Sequence, residues 1–285
     1  MYFTDGNNSN AEYFYDLNGN LLSDLNKNIS KIEYNVLNLP EKIAFSNGDW
    51  IGYVYDSGGN KLCVTHHIGQ TTSVTDYAGS MIYENGILSK ILTENGYVSF
   101  SGTTPAYHYY LTDHLGNNRI VMNASGSIEQ VNHYYPFGGI IAESSGQETQ
   151  AWKFNGKELD SSSGLNHYDY GSRFYDPVIG RWSVPDKYQE KYYSLSPYQY
   201  GACNPIRNID IQGDSISMAS IVAYDKRNGT NYKDQILSDL KEITGLNLYI
   251  SDTGYLCYQG AEDDGDENSK GSQTAREHLV GGDRR

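Results

Sequence analysis

Through the first hundred residues, apolar and polar positions alternate in short runs that restart at a regular interval. YFYDLNGNLL, from Tyr13 to Leu22, returns as YVYDSGGNKL, from Tyr53 to Leu62. Between them IEYNVLNLP, from Ile32 to Pro40, is a degenerate copy, so the unit is about twenty residues long. Each copy is read as a Tyr-x-Tyr strand, an Asp/Asn-x-x-Gly-Asn turn and a second strand that opens on Leu. Asp and Asn side chains bond their own backbone two residues on, and Gly takes up positive φ, so the pattern predicts a β-hairpin. One hairpin cannot bury its apolar face alone. Copies stacked side by side can.

Beyond Gly213 the texture changes. Ser215 to Val222 is apolar and lacks the tyrosine turns. From Tyr232 to Ile243, Ile236, Leu237, Leu240 and Ile243 fall at helical spacing, with Gly245 as the stop. Leu246 to Tyr258 predicts a hairpin turning at Asp252-Thr-Gly254, Gly260 to Gly271 reads as an acidic disordered loop, and a helix is expected to open after Gly271.

Composition narrows the function classes. The chain has 285 residues, 27 of them Tyr and 30 Gly, which suits β-structure with wet hydroxyls rather than disorder. A net charge of -14 argues against a nucleic-acid footprint. No run of about 18 apolar residues predicts a membrane span, and the first twenty residues do not resemble a signal peptide. Cys63, Cys203 and Cys257 lie far apart without a CxxC, and buried packing is expected for Cys63 and Cys203. There is no HExxH, Walker loop or Gly-x-Ser-x-Gly, so neither metal nor cofactor is expected. His66 and His67 are adjacent and would face opposite ways on a strand. His108, His114, His133 and His167 sit beside tyrosines as packed or hydrogen-bonded residues.

An ordered series of motifs follows the repeats: YHYYLTDHLGNNRI (Tyr107 to Ile120), SIEQ (Ser127 to Gln130), HYYPFG (His133 to Gly138) and KFNGKELD (Lys153 to Asp160). LNHYDYGSRFYDP (Leu165 to Pro177), GRWSVPD (Gly180 to Asp186) and SLSPYQYGACNP (Ser194 to Pro205) complete it. With the repeats, the series resembles the Rhs/YD-repeat family of bacterial polymorphic toxins over roughly residues 11–214. The resemblance implies a mainly β fold, a YD-repeat β-hairpin spiral sheet and an Rhs core plug, followed by a small α+β C-terminal segment. It divides the chain into degenerate YD repeats (1–105), an Rhs repeat-associated core (106–214) and a variable effector segment (215–285). With so few repeats, the chain is expected to be a fragment of a longer shell. The last segment weakly resembles the opening of metallopeptidase-like effectors, and it is expected to be incomplete; His278 reads as a solvated helix residue.

The resemblance further implies a structural encapsulation module, secreted or at the bacterial surface. Its partners would be its own effector segment, the rest of the shell, a secretion apparatus and an immunity protein. Cores of this family can also cut themselves once at their C-terminal edge with two aspartates. Asp186 and Asp210 occupy the matching positions, and the bond cut would lie just past Gly213. Two close carboxylates do not both ionise easily, so one can act as base on water while the other donates a proton. The family sites read Asp-Pro, whereas Asp186 precedes Lys187 and Asp210 precedes Ile211. The residue after Gly213, commonly Leu, is Asp214. The plain alternative is that both aspartates cap turns. Asp176, in a Tyr-Asp-Pro-x-x-Gly turn, reads as structural. A third expectation, a glycan-binding or adhesion surface, rests on exposed tyrosines.

Overall fold

The computed structural model describes residues 6–7, 9–146, 150–191, 195–214 and 216–217, and scattered positions from 226 to 258. It forms two compact units, Met1–Ile216 and Ser217–Arg285. The first is built on thirteen strands: β1 (Tyr13–Tyr15), β2 (Leu21–Asp24), β3 (Ile29–Tyr34), β4 (Pro40–Phe45), β5 (Trp50–Tyr55), β6 (Lys61–Ile68), β7 (Thr71–Ala78), β8 (Met81–Glu84), β9 (Ile87–Thr93), β10 (Gly96–Ser101), β11 (Thr104–Thr112), β12 (Asn118–Asn123) and β13 (Ile128–Val131). They lie in sequence order in one sheet, with every neighbouring pair antiparallel or joined as a simple hairpin. The predicted β fold is what the chain adopts.

One loop closes many of the hairpins. At Asp16, the Oδ1 atom accepts the N–H groups of Asn18 and Asn20, while the Gly19 N–H bonds the Asp16 carbonyl. The same bonds recur around Asp56 and Asp113, and around Asn35 and Asn123 with Asn in the Asp role. The fourth residue has positive φ in every copy: Gly19, Asn38, Gly59, Gly116 and Gly126. Asn substitutes for Gly at position 38 because it tolerates the left-handed region best among residues with a Cβ. Between β6 and β11 the repeat lapses, and two-residue turns such as Asn85-Gly86, both at positive φ, take over.

Residues after Gly156 make a second, four-stranded sheet of β14 (Glu158–Asp160), β15 (His167–Asp169), β16 (Phe174–Asp176) and β17 (Arg181–Trp182). Its aromatic core joins Phe154, Leu159, Tyr168, Tyr170, Tyr175, Trp182 and Tyr200. The hydroxyls are not wet, as composition alone suggested. Tyr168 and Tyr175 donate to the carbonyls of Gly138 and Phe137, while Tyr170 and Tyr200 both donate to Asn155 Oδ1. Each phenol serves a backbone carbonyl or the Asn155 side-chain oxygen, which would otherwise be stranded in an apolar core.

The small sheet docks on one face of the large one. Leu165 and Phe174 enter the core of Leu21, Ile29, Ile32, Ile43, Phe45, Ile51, Tyr53 and Val64. Around that contact runs a ring of polar bonds. Lys27 Nζ lies 2.5 Å from Asp176 Oδ2 and donates to the Leu165 carbonyl. Lys61 Nζ lies 2.7 Å from both Glu158 and Asp169, and Tyr77 donates to Glu158. His66 Nε2 and the Tyr53 hydroxyl both meet Asp160 Oδ2, at 2.9 and 3.3 Å. Asp169 and Asp176 are therefore anchors to the large sheet as well as strand and turn residues. Cys63 is half-buried, but Cys203 is exposed, contrary to the expectation of burial. It sits in a turn where Ala202 and Cys203 both have positive φ.

In the second unit, positions 233–235, 237–238 and 241 are helical, and strands Leu248–Ile250 and Leu256–Tyr258 pair antiparallel. The expected turn at 252–254, the acidic loop and the final helix lie outside the described residues. So do most of Ser215 to Val222.

The His66–Asp160 bond makes sheet docking pH-dependent. Burial lowers the His66 pKa, but the Asp160 hydrogen bond and charge, with Glu158, outweigh it and raise it. A raised histidine stabilises fully below its unfolded value of about 6.5, and the gain is lost as pH rises through the folded value. We expect His66→Gln to cost about 1–2 kcal/mol near pH 5.5 and less at pH 9, measured by urea unfolding. An equal cost at both pH values contradicts this.

Candidate functional site

Arg173 precedes β16 in a run of aromatics, and its side chain is only 4% exposed. A buried guanidinium needs partners for its fixed fork of donors. Nη2 donates to Asp186 Oδ2 at 2.8 Å and lies 3.5 Å from Asp210 Oδ2. Nη1 donates to the Pro197 carbonyl at 3.1 Å, and Nε donates to the Gly213 carbonyl. The guanidinium also lies over the Trp182 ring, 4.3 Å from its centroid. Burial lowers the Arg173 pKa, while the charges of Asp186 and Asp210 oppose that effect. Four chain segments meet at this one side chain.

The two aspartates arrive from different directions. Asp186 follows Pro185 beyond β17; its N–H donates to the Pro197 carbonyl and its Oδ1 accepts the Tyr188 N–H at 2.7 Å. Asp210 ends a short strand, β18 (Ile209–Asp210). Its Oδ1 accepts the N–H of Gly213 at 2.6 Å and that of Asp214 at 3.0 Å. Residues 210–214 thus fold around one carboxylate oxygen. Gly213 has φ +81, and a Cβ there would come within 3.1 Å of the Arg173 nitrogen and of Tyr170 Cβ. Only glycine combines that conformation with that space.

Neighbouring side chains complete the loop's support. Lys157 Nζ donates to the Ile211 carbonyl; burial lowers the Lys157 pKa, with Asp169 and Asp210 pulling the other way. The Ser172 N–H donates to the Gln212 carbonyl at 2.9 Å. Lys187 Nζ lies 2.5 Å from Asp214 Oδ2.

Asp186 and Asp210, singled out by motif position, reach the same guanidinium nitrogen. The motifs assign no role to Arg173. Its signal was an arginine inside the aromatic run Ser-Arg-Phe-Tyr, since a charge in a buried strand implies a counter-charge. The peptide bond between Gly213 and Asp214 is held at both ends, with its carbonyl on a cation and its N–H on a carboxylate. The contact on the carbonyl suits its polarisation, while the carboxylate that accepts the Asp214 N–H fixes the position of the nitrogen.

The histidines lie elsewhere. His66 meets Asp160, His67 stacks on Trp50, and His108 bridges Ser99 and Glu129. His114 bonds the Ile206 carbonyl, His133 meets Arg119, and His167 is buried beside Asp176. Among the described residues, no three His, Cys, Asp or Glu side chains gather as a metal site, and no helix is long and apolar enough to cross a membrane.

Comparison with known proteins agrees with this architecture. The teneurin YD-shell family model matches residues 83–206. Over those residues the chain is similar to a YD-shell. It is 29% identical over 224 residues to salivary gland surface protein 1 of Aedes aegypti, covering 70% of this chain and 6% of that protein. It is 29% identical over 136 residues to toxin subunit YenC2 of Yersinia entomophaga, covering 46% and 13%. Among solved structures, that of TcdB2-TccC3-Cdc42 superposes with a TM-score of 0.58 at 19% identity, covering 70% of this chain and 11% of that one. The Photorhabdus luminescens Tc holotoxin pore, with an aspartate-to-alanine mutation in TccC3, gives 0.52 at 17% identity, covering 70% and 13%. The chain therefore spans only a small part of the length of these relatives.

Replacing Arg173 by Met leaves Asp186 and Asp210 buried without their counter-charge. We expect a loss of about 3–5 kcal/mol in urea unfolding, with Arg173→Lys recovering little because an ammonium lacks the fork. A loss under about 1 kcal/mol for Arg173→Met contradicts the junction's role.

Proposed function

We propose that this YD-shell segment is a structural module of a secreted or surface toxin-like shell, and that its plug cuts the chain once after Gly213. The observation that carries the second part is the Gly213–Asp214 peptide, with Arg173 on its carbonyl and Asp210 on its N–H. In this mechanism the oxygen of a water, activated by Asp186, bonds to the Gly213 carbonyl carbon. Arg173 stabilises the oxyanion that forms. Asp186 takes one proton of that water; as the bond to the Asp214 nitrogen breaks, Asp210, which carries the proton shared by the pair, gives it to that nitrogen, and the proton on Asp186 then returns to Asp210. The second water proton leaves from the new Gly213 carboxyl group, which ionises. Arg173 also holds the two carboxylates against one cation, so their mutual repulsion is reduced.

The released piece would be the segment after Gly213, as an effector that is part of a longer protein. The toxin-subunit relatives support partners in the form of further shell chains. An effector, an immunity protein and a secretion apparatus are proposed on the same family likeness. Kinship with a salivary surface protein and toxin subunits supports a secreted or extracellular setting.

Intact mass of the purified chain tests the cut. We expect the 31.9 kDa species to give two fragments divided after Gly213, and Asp210→Asn and Asp186→Asn to remain whole. A wild-type chain that stays at full mass over days contradicts self-cleavage. A second reading, glycan binding, draws on Tyr107 and Tyr109, 52% and 47% exposed on one face of β11. It predicts that Tyr107→Ala with Tyr109→Ala abolishes retention on a glycan array, and no retention of the wild type dismisses it.

A further inference from the structure

We propose that Lys187 is a specificity-determining residue: it reads an acidic side chain at the first position after the bond that is cut. This rests on the self-cleavage proposed above. Asp214 supplies the departing nitrogen, and its N–H is on Asp210 Oδ1. Its carboxylate is held separately, 2.5 Å from Lys187 Nζ and 3.3 Å from Ser172 Oγ, with the Asp214 side chain 14% exposed. The departing residue is thus fixed at both its nitrogen and its side chain. Lys187 directly follows Asp186, so the segment that presents one of the two site carboxylates also presents the cation that grips the departing residue.

The placement is specific in two further ways. Lys187 and Asp214 stand where the resemblance leads one to expect Pro and Leu, and these two departures contact each other. An apolar neighbour has been replaced by an ionic one on both sides together. Around Lys187, Asp214, Asp186 and the Tyr188 ring supply the facing groups. The Lys187 pKa is lowered by burial but raised further by the Asp214 hydrogen bond and charge. An exposed ion pair contributes little to stability. A pair that orients the departing residue changes rate instead, because small displacements of reacting groups are costly.

The test follows fragment release by intact mass in the full chain for wild type, Lys187→Glu, Asp214→Lys and the double variant, with thermal unfolding recorded for each. We expect each single change to slow release roughly 10-fold or more, with unfolding midpoints unchanged. The double variant, with the charges exchanged, should return to within about 3-fold of wild type. Lys187→Pro with Asp214→Leu should release chain at a rate insensitive to added salt, whereas wild type slows as salt screens the pair. Singles that cleave at the wild-type rate, or folded singles that the double variant does not rescue, overturn the inference and leave self-cleavage standing. If wild type never cleaves, self-cleavage fails and this inference falls with it.

Discussion

A guanidinium removed from water has to be answered on every side, and in this chain the answer organises the segments that follow the small sheet. Arg173 draws together Asp186, the Pro197 carbonyl, Asp210 and the Gly213 carbonyl, while its face rests on Trp182. These segments are far apart in sequence and have little regular structure of their own. The aromatic core of the small sheet supplies the floor, but aromatic packing is tolerant of rotation. The directional bonds to Arg173 give the edge one geometry.

The large sheet depends on a different constraint. A reciprocal loop, in which an Asp or Asn oxygen takes two backbone N–H groups and the fourth residue turns left-handed, returns the chain at a set width. It recurs from Asp16 to Asn123. Together with the short turns between its copies it sets each strand beside the one before, and one face of β2 to β6 is left apolar. That face accepts Leu165 and Phe174, and the polar ring of Lys27, Lys61 and His66 keeps them in register. The large and small sheets therefore hold each other through buried charges that either would expose alone.

Much of this was legible because it is local. The loops are written in five-residue patterns, and the alternation of strands follows from them. The pairing of Asp186 with Asp210 was legible from motif position. What could not be read were long-range partners: Arg173 between the aspartates, Lys61 on Glu158 and Asp169, and Lys27 on Asp176. No spacing rule joins a lysine in the repeats to a carboxylate about a hundred or more residues later. The two-residue turns between β6 and β11 were likewise hidden, since Gly69, Gly79 and Gly102 follow no shared motif. Tyrosine hydroxyls looked like surface groups by composition, and only the loop carbonyls beneath them explain their burial.

Amide hydrogen exchange on Arg173→Met, compared with wild type, tests the organising role of the guanidinium most directly. The N–H groups of Asp186, Tyr188, Gly213 and Asp214 each bond a carboxylate or carbonyl whose position Arg173 sets. Their protection should fall at least tenfold in the variant, while amides of β3 to β6 keep theirs. Unchanged protection at Gly213 and Asp214 in a variant that truly lacks the guanidinium would contradict the account.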